Sequence, residues 1–169
     1  MQKLAVAILG LVLWTAGARL AAGEVVLREV EIGPARFEVV ELARTPQEKA
    51  QGLQGRRHLP DSAAMAFLSL PPRPQVFWMK NTLVPLDILF LDARGTILQI
   101  TSMEVEEPRR EGESEGHYLA RLKRYPCRRP VFCALEIRGG LAAELGLQEG
   151  ERIPALSWEA LKEHAIPEP

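Results

Sequence analysis

The segment Phe77-Trp78-Met79-Lys80-Asn81-Thr82-Leu83-Val84-Pro85-Leu86-Asp87-Ile88-Leu89-Phe90 sets polar groups between apolar runs. It holds a Trp, a Lys, the single Asn of the 169-residue chain, a Thr and one of its three Asp. Polar groups in such a setting must find partners or face a ligand. Trp78 offers a broad flat face and one N–H donor. Lys80 supplies a movable cation, and Asn81 brings two donors and an acceptor in a small frame. Asn81 also suits a turn that needs a left-handed backbone, and Thr82 can cap or bond the same turn. Asp87 falls on the strand face of Leu89 and Leu91, where a carboxylate wants a cation or several donors. Lys80 and Arg56 are the candidate partners. Glu136 alternates with Phe132, Ala134 and Arg138 and reads as a second half-buried carboxylate. Arg56 could bridge Asp87 or Glu136 in a bidentate pair.

Three chemistries fit these residues. Arg56, Trp78, Lys80, Asn81, Thr82, Asp87 and Glu136 could line one pocket for a small polar or anionic ligand, such as a saccharide or envelope-derived fragment. Asp87 and Glu136 could be the carboxylate pair of a hydrolase, which needs them roughly 5 to 9.5 Å apart in unlike environments. Or the set is a buried ionic brace that fixes the strand connections of a structural or accessory envelope protein. No Ser/His/Asp order, nucleophile elbow, metal cluster or Gly-rich phosphate loop is present, so no other common enzyme class is supported and no metal or cofactor is expected.

The elements that position these groups are mostly strands. Two alternating runs, Val25–Ile32 and Ala35–Leu42, join at Gly33-Pro34 as a hairpin. Thr45-Pro46-Gln47-Glu48 is a helix start with an N-cap, a first-turn Pro and a capping-box Glu. An apolar run, Met65–Leu70, is broken by Pro71-Pro72-Arg73-Pro74. Gln75–Met79 is a strand with Val76 and Trp78 on one face and Phe77 and Met79 on the other. Leu86–Asp92 follows, then Thr96–Val105, whose apolar character suggests burial on both sides. Glu104–Gly116 reads as a mobile solvated loop. Val131–Arg138 is a further strand, Leu141–Leu145 a helical turn, and Ser157 the cap of a final helix, Trp158–Ala165. Many short strands and frequent Gly/Pro turns indicate a mainly β, compact jelly-roll-like sandwich or barrel with two or three short helices.

Met1-Gln2-Lys3 followed by the uncharged run Leu4–Ala18 fits a signal peptide over residues 1–23. The expectation is a secreted or periplasmic protein, with a domain over residues 24–157 and a C-terminal helix and tail over 158–169. The alternative is a membrane anchor formed by an uncleaved N-terminal segment. Loss of Lys3 and Arg19 leaves 19 basic against 22 acidic residues, a formal charge of −3. That balance does not recruit nucleic acid or an anionic membrane. The basic, aromatic segment Arg121–Arg129 is expected to face the acidic loop before it. Cys127 and Cys133 are the only cysteines. An exported chain permits a disulfide between them, if the strand bends back near Pro130. Two thiols with no nearby His fall short of a metal site.

Several motifs occur in a fixed order: Gly52-Leu53-Gln54-Gly55-Arg56, Leu59-Pro60, Phe77-Trp78-Met79-Lys80-Asn81-Thr82, Pro85-Leu86-Asp87-Ile88, and Ala134-Leu135-Glu136-Ile137 before Gly139-Gly140. This order resembles the domain of unknown function 192 family of small, often exported prokaryotic proteins, over roughly residues 38–153. The resemblance implies a compact, mainly β, jelly-roll-like domain and no particular activity. Where that family usually has Gly-Met-Leu-Phe, this chain has Ala64-Met65-Ala66-Phe67. A Gly that needs positive φ, or that lets a ligand approach, would be lost there.

Overall fold

A computed structural model describes residues 25–165. The expected signal peptide and the last four residues lie outside them. Eight strands and four short helices make up the described chain. The main sheet is built from β1 (Val25–Leu27), β4 (Val39–Ala43), β5 (Ala63–Phe77), β8 (Tyr125–Arg138), β6 (Leu86–Leu91) and β7 (Ile97–Met103), in that spatial order. Only β4 and β5 run parallel; the other neighbours are antiparallel. The remaining strands, β2 (Val30–Ile32) and β3 (Ala35–Phe37), form a separate two-stranded ribbon. The mainly β fold is therefore as expected. The large sheet runs from β1 at one edge to β7 at the other and is not closed into a barrel.

Each face of this sheet carries its own apolar layer. On one face Val40, Leu42, Ala64, Leu68, Leu89, Leu135 and Ile137 pack against the β2–β3 ribbon and two helices, α3 (Leu141–Glu144) and α4 (Ala155–Lys162). On the other face Met65, Phe67, Ile88, Phe90 and Ala134 pack against Leu53, Leu59, Met79 and Tyr125. A sheet covered on both sides needs apolar residues at successive strand positions. That requirement explains why every residue of β6 is buried.

Helix α1 (Pro46–Gln51) carries the full capping box: Glu48 N–H donates to Thr45 Oγ1 (3.2 Å), and Thr45 N–H donates to the Glu48 carboxylate (2.9 Å). Other expectations are corrected. The Pro-rich stretch does not break the strand. β5 continues through Pro71, Pro72 and Pro74, which are exposed or half-buried in an irregular pairing with β8, where a missing N–H is tolerated. β7 is a half-exposed edge strand rather than one buried on both sides. Ser157 is not an N-cap. It lies inside α4, whose cap is Pro154, and its Oγ accepts the N–H of Glu31 (2.8 Å), tying the helix to the ribbon.

The acidic segment ends in a helix that the sequence reading missed, α2 (Glu115–Arg121), capped by Ser114. Its signals were Ser114 followed by Tyr118 and Leu122, obscured by seven acidic and basic residues in the preceding Glu104–Glu113. The basic segment does meet the acidic loop. Arg121 Nε donates to Glu113 (2.8 Å), and Lys123 N–H donates to Glu106 (3.0 Å). The Arg121 guanidinium holds the Glu113 carboxyl down at about 2.

Cys127 and Cys133 are free and buried. They sit in the same strand, β8, six residues apart, which is about 20 Å of extended chain. A disulfide needs Cα atoms within about 7 Å, and the strand does not fold back at Pro130. The bridge considered from sequence is therefore not formed.

Candidate functional site

Three sequence motifs converge on one pocket of about 150 Å³ on the α1 side of the sheet. The first is Gly52-Leu53-Gln54-Gly55. Gly52 (φ +47°) and Gly55 (φ +76°) both need the left-handed region, which glycine adopts without steric cost. Between them Leu53 plugs into the core, and Gln54 lines the pocket. The second is the end of β5 and the connection after it, which bring Phe77, Trp78, Lys80 and Thr82 to the pocket. The third is Glu136 of β8, the acidic member of the lining.

Asn81 backs the pocket instead of lining it. Its φ is +51°, the left-handed backbone of the turn reading, while its side chain reaches other segments. Asn81 N–H donates to the Tyr118 hydroxyl (3.0 Å), which donates in turn to Asn81 Oδ1 (3.1 Å). Asn81 Nδ2 donates to Gln54 Oε1 (3.2 Å), and Gly55 N–H donates to the Asn81 carbonyl (2.8 Å). One residue thus locks the β5–β6 connection to the Gly52–Gly55 loop and to α2. Sequence reasoning did not identify Tyr118 as its partner, because 37 residues separate them.

Lys80 Nζ bonds Glu115 Oε1 at the start of α2 (2.6 Å), not Asp87. Thr82 Oγ1 donates to the Lys80 carbonyl (3.3 Å). Trp78 is 43 % exposed, and the Arg124 guanidinium stands 4.4 Å from its ring centroid, within cation–π range.

Arg56 and Asp87 depart from their expected places. Arg56 forms a two-pronged pair with Glu41 of β4 and bonds neither Asp87 nor Glu136. Such fork-to-fork pairing suits a guanidinium and a carboxylate of fixed orientation. Asp87, 1 % exposed, belongs to the opposite face of the sheet. It accepts from Ser102 Oγ (2.7 Å) on β7 and from the Ala142 N–H (3.0 Å) of α3. Its anticipated cation is replaced by two neutral donors. Asp87 and Glu136 therefore do not form a carboxylate pair across one cleft.

Glu136 is the unusual group. It is 5 % exposed, and its cross-strand neighbours are Met65 and Ile88. Among the described residues its carboxyl has no hydrogen-bond or ion-pair partner. Burial without a compensating charge pushes its pKa up to about 8, so at neutral pH it holds its proton. The sequence had marked Glu136 as half-buried, with Arg56 as a possible partner of either Glu136 or Asp87. The deeper burial and the missing partner follow from its place in a central strand, with Arg56 taken by Glu41.

Ala64 resolves the concern raised by the missing glycine. It is buried on the face opposite the pocket, and its backbone does not have positive φ. Its methyl group neither strains the strand nor enters the pocket.

The chain was compared with known proteins. The family model of domain of unknown function 192, described as "Uncharacterized ACR", matches residues 29–155. No curated protein matches the sequence. A solved protein of unknown function from Novosphingobium aromaticivorans DSM 12444 is similar at 31 % identity and a TM-score of 0.65, over 82 % of this chain and 91 % of that one. A protein from Sinorhizobium meliloti 1021, described as a candidate transcription regulator, is similar at 34 % identity and a TM-score of 0.58, over 73 % of this chain and 84 % of that one. The family match spans most of the length and includes every motif around the pocket. The chain belongs to the domain of unknown function 192 family.

Proposed function

We propose that this protein binds a small polar ligand or envelope component in the pocket formed by the Gly52–Gly55 loop, the end of β5 and Glu136. One observation carries the reading: a carboxyl group that is almost wholly buried, has no partner among the described residues, and lines a pocket. Its carboxyl meets the pocket, where a ligand can supply the hydrogen bonds that the protein does not. The other polar candidates are closed by bonds within the protein, so they shape the pocket while Glu136 is left to meet what enters it.

A thermal-shift and NMR screen of the purified chain against polar fragments and envelope-derived saccharides tests this. The expected outcome is stabilisation by at least one compound that disappears in Glu136→Gln and weakens in Trp78→Ala. A screen in which no compound moves any pocket resonance would leave the motif as a structural brace.

Hydrolysis by Asp87 and Glu136 is not proposed, because the two face different layers. Nucleic acid is not proposed either, despite the description of the Sinorhizobium protein. Arg121 is paired with Glu113, and the Lys123 and Arg124 cations stand over the Tyr125 and Trp78 rings.

We also propose export with cleavage after Gly23. The charge pattern of residues 1–23 supports it. The mass of the protein recovered from an envelope fraction tests it. A mass that retains residues 1–23 would favour the anchored alternative.

A further inference from the structure

The charges around Glu136 point to the kind of ligand, an inference that rests on the binding reading above. Lys49 of α1 and Lys80 of the β5–β6 connection line the same pocket. Lys80 is held by Glu115, and Lys49 is likewise not free. On the same sheet face, one strand beyond Met65, Glu41 is matched by Arg56. Two residues further along β8, Arg138 is matched by Asp61 and Glu144. Met65 and Ile88, directly beside Glu136, carry no charge. Each of these ions is matched. Arg124, over the ring of the lining Trp78, donates to the Leu119 and Leu122 carbonyls, and Glu136 is an acid with no protein partner among the described residues.

The rest of the wall is aromatic. Phe67, Phe77 and Trp78 all line the pocket, with Phe67 and Phe77 packed edge to face at 5.1 Å between centroids. Aromatic rings present negative faces that attract cations, and the attraction grows when the cation is desolvated. An acid with no counter-charge beside three rings suits an ammonium group. An anion would meet the acid with both nearby lysines already engaged. We infer that the pocket takes a small organic cation, an ammonium or methylated ammonium group, with Glu136 as its counter-ion and Phe67, Phe77 and Trp78 as its aromatic surround.

The proton balance gives the inference its signature. At neutral pH the Glu136 carboxyl carries its proton. A ligand that enters already positively charged turns the acid into a carboxylate, and the proton leaves to solvent. Affinity should then rise with pH, approaching tenfold per pH unit below the Glu136 midpoint and levelling off above it.

The test follows the ¹³C carboxyl signal of Glu136 in the purified chain at constant ionic strength. The probes are methylammonium, tetramethylammonium and guanidinium chlorides, with sodium acetate and N-methylacetamide for comparison. Nα-acetyl-lysine amide separates a tethered amine from a free one. Because tetramethylammonium has no titrating proton, any pH dependence of its binding belongs to the protein. The expected result is that a cation lowers the Glu136 midpoint by a pH unit or more and shifts pocket resonances, and that Glu136→Gln abolishes the response. If acetate raises the midpoint while cations leave it unmoved, or if only N-methylacetamide binds, the cation inference fails and the binding reading stands. If no probe of any charge moves a pocket resonance, both fail.

Discussion

Asp87 and Glu136 lie one register step apart on adjacent strands and point to opposite faces of the sheet: Asp87 pairs with Ile137, while Glu136 pairs with Ile88. Strand side chains alternate, so this single step places the two acids in separate layers. Asp87 is satisfied by Ser102 and the Ala142 N–H, and it joins β6, β7 and α3. Glu136 is unsatisfied and faces the pocket. The same residue type, in adjacent strands, serves as a brace in one layer and as a candidate ligand contact in the other.

Asp87→Ala should therefore destabilise the fold without altering the pocket. It strands a buried N–H and a hydroxyl, and the expected loss is about 3 kcal/mol in urea unfolding. The titration midpoint of Glu136, followed by NMR at a temperature where the variant remains folded, should stay unchanged. A moved midpoint would mean that the two acids communicate through the sheet.

Glu136→Gln should change how stability depends on pH. In the native state the group holds its proton up to about 8, whereas unfolded it releases it near 4.5. Between those values the native state binds more protons than the unfolded one, so the wild type loses stability as pH rises from about 4.5 to 8. The Gln variant lacks this loss. It should match the wild type near pH 4 and exceed it at pH 8 by about 4 kcal/mol. Parallel curves for the two proteins across that window would show that the carboxyl is solvated or partnered.

Asn81 should be hard to replace for two separable reasons. Asn81→Gly keeps the left-handed backbone and the N–H bond to Tyr118 but loses the side-chain bonds from the Tyr118 hydroxyl and to Gln54. Asn81→Ala loses the same side-chain bonds and also places a Cβ at φ +51°, which adds about 1 kcal/mol. The Ala variant should be the less stable of the two in chemical unfolding. Tyr118→Phe combined with Asn81→Ala should cost less than the sum of the single changes, since both remove the bond from the Tyr118 hydroxyl to Asn81 Oδ1. Additive costs would mean that α2 docks independently of the turn.

Both cysteines should be inert in the native protein. Cys133 is wholly buried, and desolvation pushes its thiol up to about 12, so almost no thiolate is present at neutral pH. A thiol reagent at pH 8 should label neither site in the folded chain and both after denaturation. Fast labelling of native Cys133 would contradict its place in the core.

Much of this was legible in the sequence because it is local. The capping box Thr45–Glu48, the left-handed turn at Asn81, and the alternation that exposes Val76 and Trp78 and buries Met79 all follow from neighbouring residues. The motif order also identified the family before any fold was known. Helix α2 was hidden because charges over Glu104–Glu113 resemble a solvated loop. In the fold Glu107 pairs with Arg110 and Glu113 with Arg121, and Tyr118 turns inward.

The sequence by itself marked most of the strands and turns, and it grouped Arg56, Trp78, Lys80, Asn81, Thr82, Asp87 and Glu136 as one neighbourhood. Only the tertiary structure decided the partners. Arg56 was equally able to reach Asp87, Glu136 or Glu41 as long as the strand order was unknown. The parallel pairing of β4 with β5 puts Glu41 beside Met65 and so within reach of Arg56. That placement leaves Glu136 without a cation, and the register of β6 against β8 turns Asp87 away from it. A charge's partner depends on which strands lie side by side and on a register in which one residue reverses the face, and neither is encoded within a few residues of the charge itself.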